Sequence, residues 1–166
     1  EGIHYSILFL HTKSGSKPIG LGVRDDQFER AYKFKKLLDK IAGGKGKANY
    51  FFLGDLNVMG MQYPFEKDIV PPLELKKIDR DAKKVKMRRL TKNHPATWWN
   101  GPASKFAPAD LDHVVASDHL KFKPLNGADI AVRGWPTLNT EKEKAAWIKE
   151  YSDHGLLYLE VQKVDM

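Results

Sequence analysis

The chain has 166 residues, enough for one domain with its own hydrophobic core, and it carries a formal net charge of +7. Its apolar fraction of 42% and charged fraction of 30% are typical of a soluble globular protein, and no apolar run reaches the roughly 20 residues that a membrane span needs. No signal-peptide pattern opens the chain, and the absence of cysteine excludes disulfides and thiolate metal sites. Because a cysteine-free protein suits a reducing and an oxidising compartment equally, a cytoplasmic and a secreted location both stay open.

Strand-like and helix-like patterns alternate in the first third of the chain. A capping-box pattern of Asp26 with Glu29 predicts the start of a helix, and Gly43 with Gly44 predicts its end. A strand, a helix and a strand in succession favour parallel pairing of the two strands through a right-handed crossover. The predicted elements are a strand over residues 4–12, a loop over 13–22, a helix from 26 to the glycine pair and a strand over 49–53.

The rest of the chain continues this mixture, so we predict an α/β fold. Pro72 is a suitable opening residue for a basic helix, and Thr140 with Glu143 forms a second capping box. No linker divides the chain, and we predict a single domain over residues 1–166. The predicted elements are the basic helix with Leu75, Ile78, Ala82 and Val85 on its inner face, strands over 111–116 and 128–132, a helix through Tyr151 and a closing strand over 155–161.

The segment Tyr50 to Asn57 is the most informative part of the sequence. A strand rich in aromatic residues ends abruptly in Gly54-Asp55-Leu56-Asn57. Residues two apart on a strand point to the same side, which predicts that the Asp55 carboxylate and the Asn57 amide lie together. An acceptor-only carboxylate beside a donor–acceptor amide suits a water molecule next to a phosphate oxygen. Gly54 removes side-chain bulk at the same place.

Further polar residues stand at the ends of other predicted strands. If these ends meet at one edge of a sheet, they form a cluster of three carboxylates, two imidazoles and an amide. Such a set is poor for zinc and suits Mg²⁺ or Mn²⁺, which prefer oxygen ligands and retain waters. The residues are His11, Asp55, Asn57, Asp112, Asp153 and His154.

Three motifs in this order resemble the endonuclease/exonuclease/phosphatase superfamily, whose members include deoxyribonuclease I, apurinic endonucleases, sphingomyelinases and inositol polyphosphate phosphatases. The motifs are Gly54-Asp55-Leu56-Asn57, Leu111-Asp112-His113-Val114-Val115 and Ser152-Asp153-His154 before a final strand. The resemblance covers the second half of the family domain. It implies half of a deoxyribonuclease I-like four-layer α/β sandwich, with a mixed sheet and flanking helices, and a Mg²⁺-dependent phosphoesterase activity.

The resemblance also implies a role for each residue in the hydrolysis of a phosphodiester or phosphomonoester. Asp55 would orient or deprotonate the attacking water and approach the metal, and Asn57 would bind the phosphoryl oxygen and that water. His154 would stabilise the developing charge, with Asp112 as its orienting carboxylate. The two remaining roles are metal binding for Asp153 and phosphate contact for His11.

The metal-binding Glu of the family comes from its first half, and no stretch of this chain matches it. A strand already begins near Ile3, so we expect the chain to be a piece of a longer protein that supplies the N-terminal half of the domain. The alternative is a truncated or degenerate relative that lacks catalysis and binds polyanions. Residues 74–92, where nine Lys or Arg face three acids, would carry that binding, although a solvated helix face fits the same residues. The net charge slightly favours a nucleic acid among the phosphate ester substrates.

Several other residues have two interpretations. Ser117-Asp118-His119 repeats the Ser-Asp-His motif, but it follows its strand instead of preceding one, which predicts a solvated loop at the strand end opposite Asp112. Trp98 and Trp99 could stack on a base or a lipid headgroup, or could pack the loop. A lipid phosphodiesterase would need an exposed apolar loop, and residues 59–65 are the candidate segment.

Overall fold

A computed structural model describes residues 3–162 of the chain and shows a mixed α/β protein. The residue contacts divide it into two compact units. Unit 1 contains residues 3–89 and 113–120, and unit 2 contains residues 90–112 and 121–162. The single domain over residues 1–166 stays a prediction beside this division. Within the described part of the chain, none of the helices combines the length and the apolar character that crossing a membrane requires.

Unit 1 is built on a four-stranded mixed sheet with the strand order β1-β2-β4-β3. β1 and β2 pair in parallel, as the sequence predicts, and β3 and β4 pair antiparallel. The mixed sheet with helices is therefore established, and its identity as half of a deoxyribonuclease I-like sandwich stays a prediction. The elements are β1 Ser6–His11, α1 Pro18–Ile41, β2 Tyr50–Asp55, α2 Pro71–Lys84, β3 Met87–Arg89 and β4 Asp112–Ser117, of which Asp112 itself is grouped with unit 2.

One face of this sheet packs against the two helices. Tyr50 and Phe52, alternate residues of β2, are completely buried there, and Phe28 of α1 packs in the same cluster. Fully burying a side chain of that size contributes about 1.5–3 kcal/mol to stability. The predicted inner face of the basic helix is confirmed, because Ile78 and Ala82 are buried in this core.

Helix α1 begins eight residues earlier than the sequence predicts. Its first residue is Pro18, and the segment with Gly20 and Gly22 is helical and not a loop. Pro is favoured in the first turn because its fixed φ suits a helix and its missing N–H would have no helical partner there. The predicted capping box is wrong, since Asp26 lies inside the helix and pairs with Arg30 at 2.8 Å. The predicted end is confirmed by the Ala42 cap before the glycine pair.

Unit 2 contains a two-stranded antiparallel sheet, a short 3-10 helix and one α-helix. The capping box of Thr140 with Glu143 is present and starts α3, as predicted. The two strands are shorter than their predicted ranges, and isolated bridges at Ala128, Ile130 and Val161 account for the surrounding strand-like pattern. The elements are β5 Ala131–Arg133, the 3-10 helix Trp135–Thr137, α3 Glu141–Glu150 and β6 Leu156–Tyr158.

Candidate functional site

Asp55 and Asn57 lie together at the carboxyl end of β2 in unit 1. The Asp55 carboxylate accepts two hydrogen bonds from Asn57, one from its backbone N–H to Oδ1 and one from its side-chain Nδ2 to Oδ2, both at 2.9 Å. The predicted proximity is confirmed, but strand alternation is not its cause. Asp55 is the last residue of β2, and Asn57 has a left-handed φ of 45°, which Asn tolerates better than most residues.

Thr12 is a partner of this pair that the sequence did not reveal. Its backbone N–H donates to the Asp55 carbonyl at 2.9 Å, and its hydroxyl donates to the Leu56 carbonyl at 2.6 Å. Its own carbonyl accepts from Asn57 Nδ2 at 3.1 Å. Thr12 therefore ties the ends of β1 and β2 together and fixes the orientation of the Asn57 amide. Buried Thr after a strand is a weak signal, because Thr is also a common strand residue.

Gly54 is required by the close approach of β1. Its φ is 136°, and a Cβ built on it would lie 2.1 Å from the Leu10 carbonyl oxygen. A carbon and an oxygen cannot approach this closely, so any side chain here would separate the strands. The sequence indicated only that Gly54 removes side-chain bulk beside Asp55, and the structure shows that the close approach of β1 requires it.

His11 lies beside Asp55, as the sequence analysis expected. The distance from His11 Nε2 to Asp55 Oδ2 is 3.5 Å. The His11 side chain is 79% exposed and that of Asp55 is 17% exposed. The imidazole of His11 is therefore the more solvent-accessible of the two side chains.

Asp112 and His154 form a hydrogen-bonded pair in unit 2. His154 Nδ1 lies 2.9 Å from Asp112 Oδ2, and the two side chains are 30% and 11% exposed. An ionised carboxylate only accepts, so Nδ1 carries the hydrogen of this bond. Nε2 is then the nitrogen whose protonation changes the charge of the ring. The predicted pairing of these two residues is confirmed.

Thr97 holds the chain segments that carry this pair. Its buried hydroxyl oxygen accepts from the backbone N–H groups of Leu111 and Asp112, at 3.1 and 2.9 Å. Its carbonyl accepts from the N–H of Gly155 at 2.6 Å. One residue thus connects the segment before Asp112 with the segment after His154.

Lys92 contacts the same segment from another direction. Its ammonium donates to the Asp112 carbonyl at 2.5 Å and to the Asp110 carboxylate, and its side chain is only 5% exposed. The charge pattern of residues 74–92 predicts Lys92 to be one of a group of basic surface residues. The structure corrects this assignment, because the charge is buried and neutralised by Asp110.

Asp153 is held by tryptophans. Trp98 Nε1 donates to Asp153 Oδ2 at 2.8 Å, and the Asp153 carbonyl accepts from the Trp99 N–H at 2.9 Å and from Trp135 Nε1 at 3.0 Å. A partly buried indole N–H needs a hydrogen-bond acceptor. This need is the one signal in the sequence that could have linked the tryptophans to the Asp153 carboxylate. Of the two interpretations of the Trp98-Trp99 pair, these contacts favour packing.

The structure brings the predicted site residues together within two groups. Among the described residues, no three or more His, Asp or Glu side chains are arranged so that they could hold a metal ion. Asp55 and Asp153, the predicted metal ligands, each already accept hydrogen bonds from protein donors. The groups are His11, Asp55 and Asn57 in unit 1 and Asp112, Asp153 and His154 in unit 2.

Comparisons of the chain with protein-family models, with curated proteins and with solved structures find no match. A functional interpretation therefore depends on the three motifs and on the geometry of the two groups.

Proposed function

We propose that this chain is part of a metal-dependent phosphoesterase of the endonuclease/exonuclease/phosphatase type, which hydrolyses phosphodiester or phosphomonoester bonds. The observation that carries the proposal is the 2.9 Å hydrogen bond between His154 Nδ1 and Asp112 Oδ2. A carboxylate in this position holds the imidazole in one tautomer and stabilises the imidazolium form.

His154 would stabilise charge on the phosphoryl group. In the imidazolium form, Nε2 carries a hydrogen that can be donated to an oxygen on which negative charge develops. Phosphoryl transfer depends mainly on positioning and on such neutralisation of charge. The partial exposure of the ring, 30%, leaves it accessible to a substrate.

Asp55 and Asn57 would position the attacking water. Both hydrogens of the Asn57 amide have protein acceptors, the Thr12 carbonyl and Asp55 Oδ2. Asn57 Oδ1 can only accept, so it suits a hydrogen of a water molecule better than a phosphoryl oxygen. This narrows the role implied for Asn57 to orientation of water, with Asp55 as the base or second acceptor.

The metal requirement belongs to the same proposal. Mg²⁺ binds through one or two carboxylates and fills its other positions with waters and substrate phosphate oxygens, and Mn²⁺ accepts similar ligands. Asp55 in unit 1 and Asp153 in unit 2 are each a candidate oxygen ligand within their own unit, but the described residues do not form a cation site by themselves. We propose that a further ligand, a Glu, comes from the N-terminal half of the domain in a longer protein.

Ion pairing within residues 74–92 changes the charge argument for a nucleic acid substrate only slightly. At least five of the nine cationic side chains there pair with carboxylates, but three of them share Asp81, and Asp79 and Asp81 are already among the three acids of the segment. The pairs therefore fix the positions of these cations and leave most of the positive excess that attracts a polyanion. The pairs are Lys77, Arg80 and Lys84 with Asp81, Arg89 with Asp79, and Lys92 with Asp110.

The test is hydrolysis of a phosphodiester by the protein as isolated from its source, with Mg²⁺ or Mn²⁺ and after removal of divalent ions. We expect metal-dependent turnover that falls about 10³-fold in His154→Ala. His119→Ala is the matched control, because it removes the histidine of the other Ser-Asp-His, and it should retain turnover. Salt-sensitive binding of duplex DNA without any turnover would instead support the non-catalytic polyanion-binding relative.

A further inference from the structure

An ion pair buried in unit 1 is not part of either predicted group. Arg24 of α1 and Glu74 of α2 form a two-bond fork, Nε to Oε1 at 2.6 Å and Nη2 to Oε2 at 3.0 Å. Their side chains are 0% and 1% exposed. Removing two charges from water costs several kcal/mol for each ion, and a buried pair is tolerated only when its remaining hydrogen-bonding groups are also satisfied.

The remaining hydrogen bonds of this pair go to two loops. Arg24 Nη1 donates to the carbonyls of Lys13 and Gly15, at 3.1 and 2.9 Å. Arg24 Nη2 donates to the Gly60 carbonyl at 2.8 Å, and Glu74 Oε2 accepts from the Gly60 N–H at 2.8 Å. The pair therefore holds the loop after β1 and the loop after β2 at fixed positions on the helices.

These two loops carry the Asn57 site. Lys13 follows Thr12 directly, and Gly60 is three residues beyond Asn57. The loops also contact each other. The Gly15 N–H donates to Met59 Sδ at 3.2 Å. The Gln62 N–H donates to the Ser16 carbonyl at 2.7 Å.

We propose that Arg24 and Glu74 are positioning residues for Asn57. By fixing both loops, they hold the Asn57 backbone in its left-handed conformation and keep its amide between Thr12 and Asp55. The catalytic consequence of this positioning rests on the proposed function, whereas the positioning itself is measured without turnover.

A second buried ion pair on α1 provides a matched control. Lys35 and Asp39 are 0% and 5% exposed and lie 2.5 Å apart. Asp39 accepts from the N–H groups of Gly46 and Ala48, both at 2.9 Å, so this pair orders the loop that precedes β2. It matches the first pair in burial and charge and makes its backbone contacts with a different loop.

The experiment is hydrogen exchange measured by NMR on the Asn57 and Ala48 backbone amides, each normalised to the buried β2 amide of Phe52. In Arg24→Met/Glu74→Met we expect the relative protection of Asn57 to fall about tenfold, with Ala48 unchanged and the Asn57 side-chain NH₂ signals shifted. In Lys35→Met/Asp39→Leu we expect the relative protection of Ala48 to fall and that of Asn57 to stay unchanged. Glu74→Gln keeps the side-chain volume and an acceptor for the Gly60 N–H, so it should cause a smaller loss of Asn57 protection. If the double variant does not fold, Glu74→Gln alone tests the positioning role.

Equal protection of Asn57 in the wild type and in Glu74→Gln, or an equal effect of both double variants, would overturn the positioning role. Turnover separates this inference from the proposed function. Loss of Asn57 protection in a protein that never hydrolyses phosphodiesters would leave the positioning role standing and remove the enzymatic one. Where turnover occurs, Arg24→Lys should lower kcat more than it changes KM, because it disturbs a positioned water more than substrate binding.

Discussion

The chain contains Ser-Asp-His twice, and the two copies have different environments. Ser117-Asp118-His119 closes β4 in unit 1, and Ser152-Asp153-His154 precedes β6 in unit 2. In the first copy the serine is completely buried and the aspartate is exposed. In the second copy all three residues are partly buried, and the aspartate and the histidine each contact another polar side chain.

The first copy has a structural role. The Ser117 hydroxyl donates to the Ala48 carbonyl at 2.7 Å, and its oxygen accepts from the Tyr50 N–H at 3.3 Å, which fixes the start of β2. His119 Nε2 lies 2.9 Å from Asn49 Oδ1. The sequence analysis placed this copy at the strand end opposite Asp112, which is confirmed. The prediction of a solvated loop is correct for Asp118. It is wrong for Ser117, which is buried because its hydroxyl bonds the backbone at Ala48 and Tyr50.

The second copy orients its side chains toward other polar groups. The Ser152 hydroxyl accepts from the His154 N–H at 3.0 Å, which makes a tight turn. That turn presents Asp153 to the Trp98 indole and His154 to the Asp112 carboxylate. The comparison shows that the tripeptide alone does not define a site. The partner residues, more than forty positions away for both side chains, make the difference.

The largest expected difference is between the carboxylate that bonds the histidine of the second copy and the carboxylate within the first copy. Asp112→Asn replaces the carboxylate that holds His154 and should lower kcat/KM about 10³-fold, because an amide neither stabilises the imidazolium nor fixes its tautomer. Asp118→Asn, in the exposed position of the first copy, should leave kcat/KM unchanged. The measurement is steady-state hydrolysis of a phosphodiester, and equal rates in the two variants would contradict the assigned role of Asp112.

The two serines should differ in their contribution to stability, and here the serine of the first copy should matter more. Ser117→Ala leaves a buried carbonyl and a buried N–H without their partner, so the free energy of unfolding should fall by about 1–3 kcal/mol. Ser152→Ala, in a partly exposed turn where water can replace the hydroxyl, should cost less than about 1 kcal/mol. Urea unfolding of both variants tests this prediction. A larger loss in Ser152→Ala would reverse the comparison.

The indole of Trp98 should matter for the second copy alone. Trp98→Phe removes the N–H that bonds Asp153 Oδ2 and retains most of the apolar contact. Hydrogen bonds to charged groups contribute about 1.5–3 kcal/mol, so a decrease in kcat of about tenfold or more is expected. Trp147→Phe, a tryptophan on α3, serves as the control for the loss of an indole. If both variants keep wild-type kcat, Trp98 only packs the loop.

The smallest effect concerns His119 and pH. Burial, with a further contribution from the Lys35 cation, lowers the pKa of His119 below its ordinary value of 6.5. The unfolded chain therefore binds the proton first, and the contribution of His119 to stability is complete above pH 6.5 and is lost as the pH falls through the folded pKa. His119→Gln, which cannot titrate, should flatten the dependence of the unfolding free energy on pH between about 7 and 5. If His119→Gln leaves the pH dependence of the unfolding free energy unchanged, other titratable groups cause that dependence.

The sequence predicted the elements whose signals are local. The α3 capping box and the inner face of α2 follow from patterns within a few residues, and the parallel β1–β2 pair follows from the order of strand, helix and strand. The start of α1 was missed because Gly20 and Gly22 resemble loop residues, while Asp26 and Glu29 imitate a cap. Gly20 is needed instead for packing, since a Cβ there would lie 2.5 Å from the Gly15 carbonyl oxygen.

Part of the site was predicted from the sequence. The neighbours Asp55 and Asn57 were predicted from their spacing, and His11 was placed near them as a residue at a strand end. The pairing of Asp112 with His154 was implied by the family resemblance of the motifs. The bonds from Arg24 to Glu74 and from Trp98 to Asp153 span 50 and 55 residues. No periodicity marks such pairs, because only the folded chain brings their partners together.

The contact between Gly54 and β1 has a consequence for how this chain could change over time. Since a Cβ at this position would lie 2.1 Å from the Leu10 carbonyl oxygen, substitution of the glycine displaces a strand. Substitution of Asp55 beside it removes two hydrogen bonds to Asn57 and brings no new atom against β1. A descendant could therefore lose the acid and keep its architecture, but it could not lose the glycine so easily. In a lineage under no selection for chemistry, we expect the glycine to outlast the aspartate.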